Sequence, residues 1–200
     1  PIGKNLKSVT AIRKNQIHKK LSQVKIKVAC DVTNPFYGTN GAAYVYGPQK
    51  GASEKEVQLL DEGLKRFSNY IRKEFDVDVQ DIPGAGAAGG VGGGAVVFMD
   101  AILISGIDLI KELANFDKAI HGADWIVTGE GKLDAQTLAG KTIAGVLSAA
   151  KRQRIPVAAL CGAVEMTPSQ QEEIGLQYVC SILQEVSSLE NALKNSYRNL

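Results

Sequence analysis

Three short apolar runs near the C-terminus, Trp125–Thr128, Val157–Cys161 and Tyr178–Leu183, constrain this chain more than any other feature. Each has the length of a strand, and helix signals fill the gaps between them. Residues 134–153 carry a helical pattern that tolerates Gly140 and Gly145. Thr167, Pro168 and Gln170 form a capping box with proline at the first helical position, and Gly175 stops that helix. Ser187 with Glu190 caps a last helix. From about residue 121 the order is therefore β-α-β-α-β-α. That rhythm predicts a parallel sheet with right-handed crossovers, of the flavodoxin or Rossmann kind. Ligands of such sheets lie at the C-terminal ends of the strands, so chemistry is expected just after each run.

The first half reads as α/β as well. Val24–Cys30 is expected as a strand ending at Asp31, and Ala42–Tyr46 as a second, short one. Ser53 and Glu56 form a capping box. Behind it Val57, Leu60, Leu64, Phe67, Ile71 and Phe75 recur at steps of three and four, one apolar stripe of a helix. Val77–Ile82 is expected as a strand stopped by Pro83, and Ala95–Ile104 as a buried helix after a glycine-rich loop.

Composition removes several function classes. Of 200 residues, 44% are apolar and 22% charged, the balance of a packed chain. No apolar run reaches the ~18 residues that span a bilayer, so no membrane association is expected. The three cysteines, Cys30, Cys161 and Cys180, lie far apart in apolar runs, and His18 and His121 complete no zinc spacing. Reduced thiols in the cytoplasm are the expectation. Residues 1–30 hold eight Lys or Arg and no acid, against 15 basic and 21 acidic residues in the rest. Those bases alternate with Ile, Leu and Val, not with stacking aromatics, and no nucleic-acid-binding signature follows, so a solvated face is expected.

Three stretches can carry chemistry. Pro83–Gly94 has seven glycines in twelve residues, and Gly84, Gly86 and Gly89 satisfy the G-x-G-x-x-G spacing. Such a loop can cradle an anion with backbone N–H groups ahead of a helix N-terminus. It can equally serve close helix–strand packing, or act as a linker; an acid at the offset required for a dinucleotide is missing. Thr128-Gly129-Glu130-Gly131-Lys132-Leu133-Asp134 follows a strand and precedes a helix. Its carboxylates suit magnesium or proton handling, while an ordinary turn with Asp134 as N-cap explains the same letters. Asp31-Val32-Thr33-Asn34-Pro35, continuing to Gly47-Pro48-Gln49-Lys50-Gly51, could hold a hydroxy acid or be a turn-rich connection. Gly140-Lys141-Thr142 imitates the tail of a P-loop, but Ala135 stands where glycine is required.

Taken together and in order, these segments resemble the bacterial glycerate kinases of two-domain α/β type. The matching stretches are Ala29–Pro35, Gly47–Ala52, Pro83–Gly90 and Thr128–Thr137, with Lys132 where Arg is common and Phe36 where Leu is common. The resemblance implies the C-terminal portion of such an enzyme, about half its length. Residues 1–117 would be part of an inserted mixed α/β domain, and 118–200 the end of a flavodoxin-like one. It also implies transfer of the ATP γ-phosphoryl group to a hydroxyl of D-glycerate, with Mg2+. Roles follow from the needs of phosphoryl transfer. Asp31 and Glu130 are candidates for base or metal ligand, with Asp134 behind them. Gly84, Gly86, Gly89 and Gly90, with Thr128 and Gly129, are expected at a bound anion or nucleotide. Lys50 and Lys141 are charge neutralisers, and Asn34 a substrate hydrogen-bond donor. A fragment leaves strand edges open, so a homodimer is among the expectations. An oxidoreductase fragment that binds NAD, and a non-catalytic interaction module, are the alternatives.

Overall fold

The computed structural model describes residues 2–13, 15–134, 141–183 and 188–199. Contacts within it divide at residue 105 into two units, 1–105 and 106–200. Both are mixed α/β, and every strand pairing within the described residues is parallel.

In the first unit, β1 (Lys27–Ala29) is followed by α1 (Ala42–Tyr46), α2 (Glu54–Phe75), α3 (Ala87–Met99) and β2 (Ile102–Ile104). β1 pairs with β2, setting Lys27 opposite Ile102 and Ala29 opposite Ile104. The apolar stripe decides α2. Val57, Leu64 and Ile71 are buried, and Leu60, Phe67 and Phe75 pack beside them around Phe36, Val79 and Ala85. Burying each large side chain contributes about 1.5–3 kcal/mol. At the helix start, the Glu56 carboxylate accepts hydrogen bonds from Ser53 N–H at 2.8 Å and Ser53 Oγ at 2.7 Å. Asp76 closes the helix in the left-handed conformation.

Three expectations fail here. Ala42–Tyr46 is a helix, because Gly41 turns the chain so tightly that a Cβ there would strike the Tyr37 backbone. Val77–Ile82 is not a strand; Asp78 accepts a hydrogen bond from Gln80 N–H at 3.1 Å and folds Val79–Asp81 into a 3-10 turn. The apolar run 95–104 is no single helix either, since Asp100 takes φ 52° and ends α3 before β2 begins.

In the second unit, α4 (Gly106–Leu113) and α5 (Phe116–Ala119) precede β3 (Ile126–Leu133), α6 (Lys141–Gln153), β4 (Val157–Val164), α7 (Pro168–Glu173), β5 (Tyr178–Ser181), α8 (Leu189–Lys194) and α9 (Ser196–Asn199). The sheet order is β3-β4-β5, and both pairings are parallel, as the alternation predicted. Val157, Ala159 and Cys161 alternate along one face of β4 and are buried with Ile143, Val146, Ala149 and Ala150 of α6. Thr167 and Gln170 form the expected box, with Thr167 N–H donating to Gln170 Oε1 at 2.9 Å. Three strands differ from expectation, β5 by stopping at Ser181, short of Leu183. β3 runs five residues past Thr128, to Leu133, and β4 runs on to Val164. The start of the helix expected at 134–153 and the Ser187 cap lie outside the described residues; Ser188 accepts from Asn191 N–H at 3.3 Å ahead of α8. No helix among the described residues is long and apolar enough to cross a membrane.

Candidate functional site

The segment after β1 is held by its own polar groups. Asn34 Nδ2 donates to the Asn40 carbonyl at 2.9 Å, and Tyr46 Oη donates to Asn34 Oδ1 at 2.8 Å. The Asn34 carbonyl accepts from Gly86 N–H at 3.0 Å, joining this segment to the glycine-rich stretch. Asn34 therefore ties two candidate segments together, in addition to any donation to a ligand. Asp31 is exposed two residues beyond β1, and Lys50 is exposed at the end of the 3-10 turn Pro48–Lys50.

The glycines divide by position. Gly84 is buried at φ 85°, and a Cβ there would lie 2.7 Å from Cys30 Sγ and 2.9 Å from the Val32 carbonyl oxygen. Gly86 is also buried, pressed against the Pro35 carbonyl. Gly92 and Gly93 let α3 lie against the Gly84 carbonyl and the Phe36 ring. These four serve packing. The tip differs: Ala88, Gly89 and Gly90 take φ of 52°, 76° and 98°, and Ala88 and Gly89 are exposed. This left-handed run breaks the first turn of α3, and its first two residues face solvent beside the exposed Val91. Of the glycines expected at an anion, Gly86 gives its N–H to the Asn34 carbonyl and Gly90 gives its N–H to the Gly86 carbonyl.

In the second unit Thr128–Leu133 of the motif forms strand, not turn, and Asp134 follows its end. Thr128 lies opposite Ala159, Gly129 opposite Leu160 and Glu130 opposite Cys161. Gly129 would place a Cβ 2.8 Å from the Leu160 carbonyl oxygen, and Gly162 is pressed against the Gly131 carbonyl. Gly129 of this motif and Gly162 of β4 thus let the two strands run close together, whereas a side chain on Gly131 would meet nothing. Glu130 and Gly129 are exposed, and Thr128 is half-buried. Burial pushes the Cys161 thiol above its ordinary pKa.

The C-terminal edge of β3 and β4 carries an ion cluster that the residue patterns did not single out. Lys132 Nζ lies 2.9 Å from Glu165 Oε2 and 3.5 Å from Asp134 Oδ2. The backbone holds the arrangement, because Glu165 N–H donates to the Leu133 carbonyl at 2.8 Å and extends the ladder past β4. Glu165, then Asp134, keep the Lys132 ammonium above its ordinary pKa. Glu165 could have been found by carrying β4 on through Gly162, which would have put it at a strand end beside Lys132. The side chain of Lys141, at the start of α6, lies outside the described residues.

The glycerate kinase family model matches residues 1–200. A glycerate kinase of Halalkalibacterium halodurans is 43% identical over 97% of this chain and 52% of its own length. The glycerate 2-kinase of Escherichia coli K12 is 38% identical over 99% of this chain and 52% of its own. A crystal structure named for glycerate kinase 2 of Salmonella typhimurium LT2 superposes with a TM-score of 0.80 at 38% identity, covering 98% of this chain and 51% of that one. The chain matches the C-terminal part of these relatives and spans about half their length. With agreement of this grade along its whole extent, in sequence and in backbone, the chain belongs to the glycerate kinase family.

Proposed function

We propose that the protein to which this chain corresponds transfers the γ-phosphoryl group of ATP to a hydroxyl of D-glycerate, giving 2-phosphoglycerate. The observation that carries this reading is the family match from residue 1 to residue 200. A match of that extent takes in all the chemistry-bearing segments at once. The geometry supports the same reaction class. Phosphoryl transfer needs positioned cations, backbone N–H groups and a base, with little covalent chemistry from the protein.

Asp31, exposed beyond β1, is the base for the glycerate hydroxyl, and Asn34 donates to the substrate from a side chain fixed by Asn40 and Tyr46. The exposed Ala88 and Gly89 receive an anion, with Gly84, Gly86 and Gly90 as the packed base. Thr128, Gly129, Glu130 and Asp134 belong to the nucleotide side, and Lys50 and Lys141 neutralise charge. Among the described residues no group of three or more His, Cys, Asp or Glu stands together. Mg2+ in such enzymes arrives on the phosphates and takes one or two carboxylates. Asp31, just past β1, and Glu130, on β3, are exposed acids that are each, taken singly, a candidate for such a ligand. When bound, the ion neutralises charge on the phosphoryl oxygens. Residues 1–117 and 118–200 would belong to the inserted and flavodoxin-like domains of the whole enzyme, acting in the cytoplasm, where Cys30, Cys161 and Cys180 stay as the free thiols they are here.

The test is an assay of the intact polypeptide with Mg-ATP and D-glycerate, the product isomer being read by 31P NMR. Glycerate-dependent ADP release with 2-phosphoglycerate as product is expected. ATP turnover that ignores glycerate would overturn the reading.

A further inference from the structure

Lys132 is placed where parallel sheets meet their ligands, at the C-terminal end of a strand, yet the roles assigned above do not use it. Its strand position is fixed by pairing with Ala163, and Glu165 is fixed in turn by its N–H bond to Leu133. The ammonium is half-exposed and lies between two carboxylates, Glu165 at 2.9 Å and Asp134 at 3.5 Å. Their side chains are 61% and 25% exposed, so the cluster faces solvent and is not a buried structural pair. An exposed pair of this kind contributes little to stability, so holding the fold together is not what the arrangement chiefly does. A lysine bracketed in this way is held between its partners and can exchange a carboxylate for an incoming anion. To compete with two carboxylates, that anion must be multiply charged. A polyphosphate meets the requirement and a lone carboxylate does not.

We propose that Lys132 contacts the phosphates of the nucleoside triphosphate, and that Glu165 is the positioning residue that aims it. This rests on the kinase reading and extends it to a cation that the reading leaves unassigned.

The test uses steady-state kinetics of the intact polypeptide, varying ATP and glycerate separately, with circular dichroism to verify folding of each variant. The unsubstituted enzyme must first release ADP in response to glycerate; if it does not, the kinase reading fails and not merely this assignment. Lys132→Ala should then raise KM for ATP about tenfold or more, the usual effect of losing a charge-assisted hydrogen bond. KM for glycerate should change less than about twofold. Lys132→Arg should restore most of the ATP affinity. Glu165→Ala should raise KM for ATP several-fold, and Glu165→Gln, which keeps an oxygen for the Lys132 ammonium, should rescue it. A rise in KM for glycerate in place of ATP would assign Lys132 to the substrate carboxylate and overturn the proposal. An unchanged KM for ATP in folded Lys132→Ala would overturn it too, and failure of the glutamine to rescue would remove Glu165 as the positioning group.

Discussion

The Phe36 ring occupies the space where a side chain on Gly93 would sit: a Cβ built there lies 2.9 Å from Phe36 Cδ2 and Cε2. One helical step further, a Cβ on Gly94 would make ordinary contact with Phe98 at 4.0 Å. Adjacent glycines of α3 therefore predict opposite results. Gly93→Ala should lower stability by about 1–3 kcal/mol, since the 2% exposed Phe36 has nowhere to move. Gly94→Ala should gain about 0.5–1 kcal/mol from reduced backbone freedom in the unfolded chain. Denaturant melts of the two variants check this, and equal shifts would contradict the packing described.

The start of α2 predicts an acid dependence. Hydrogen bonds from the Ser53 hydroxyl, then from Ser53 N–H, hold the Glu56 carboxyl below its ordinary pKa. The stabilisation is fully present above the ordinary carboxylate value and is lost as pH falls through the lower folded-state value. Ser53→Ala should cost about 1 kcal/mol at neutral pH. Glu56→Gln should flatten the acid limb of the stability profile, measured as denaturant midpoints across a pH series.

Cys161 predicts the opposite dependence. Its thiol is buried with no exposed surface, and burial raises its pKa. As pH climbs past the ordinary thiol value, the unfolded chain ionises before the folded one, so this contribution to stability falls with rising pH. Iodoacetamide should label half-buried Cys30 and Cys180 well before Cys161, followed by mass spectrometry. Prompt labelling of Cys161 would mean that β4 opens far more readily than its pairing on both sides implies.

Asp31 predicts a catalytic loss. In the intact polypeptide Asp31→Asn should cut turnover by about 10²-fold, the usual effect of removing a general base. Near-normal kcat would remove Asp31 from the chemistry.

The elements legible from the residues were those with a strong local signal. Six stripe residues at steps of three and four, behind a capping box, leave α2 no alternative, and Thr167–Gln170 did the same for α7. Misreadings arose where a few residues had to be judged without their surroundings. Ala42–Tyr46 has strand-forming letters but only five residues, and the turn at Gly41 decides its conformation. Thr128–Leu133 looks like a turn, because glycine and charge usually mark one. Here Gly129 serves close strand approach, visible only once β4 lies alongside. The same error hid Glu165: with β4 ended at Cys161, nothing placed a carboxylate beside Lys132. The glycine-rich stretch was legible as important but not in its division of labour, since packing against Phe36, Cys30 and Pro35 depends on residues some fifty positions away.

The pairing of Lys27 with Ile102 has a consequence for how the first unit comes into being. Everything from α1 through α3 lies between the two partners, so the β1–β2 ribbon closes a very long loop and gains nothing until the intervening helices have been made. During synthesis β1 leaves the ribosome without a mate and waits for β2. The N-terminal unit should accordingly acquire its helices early and its sheet last.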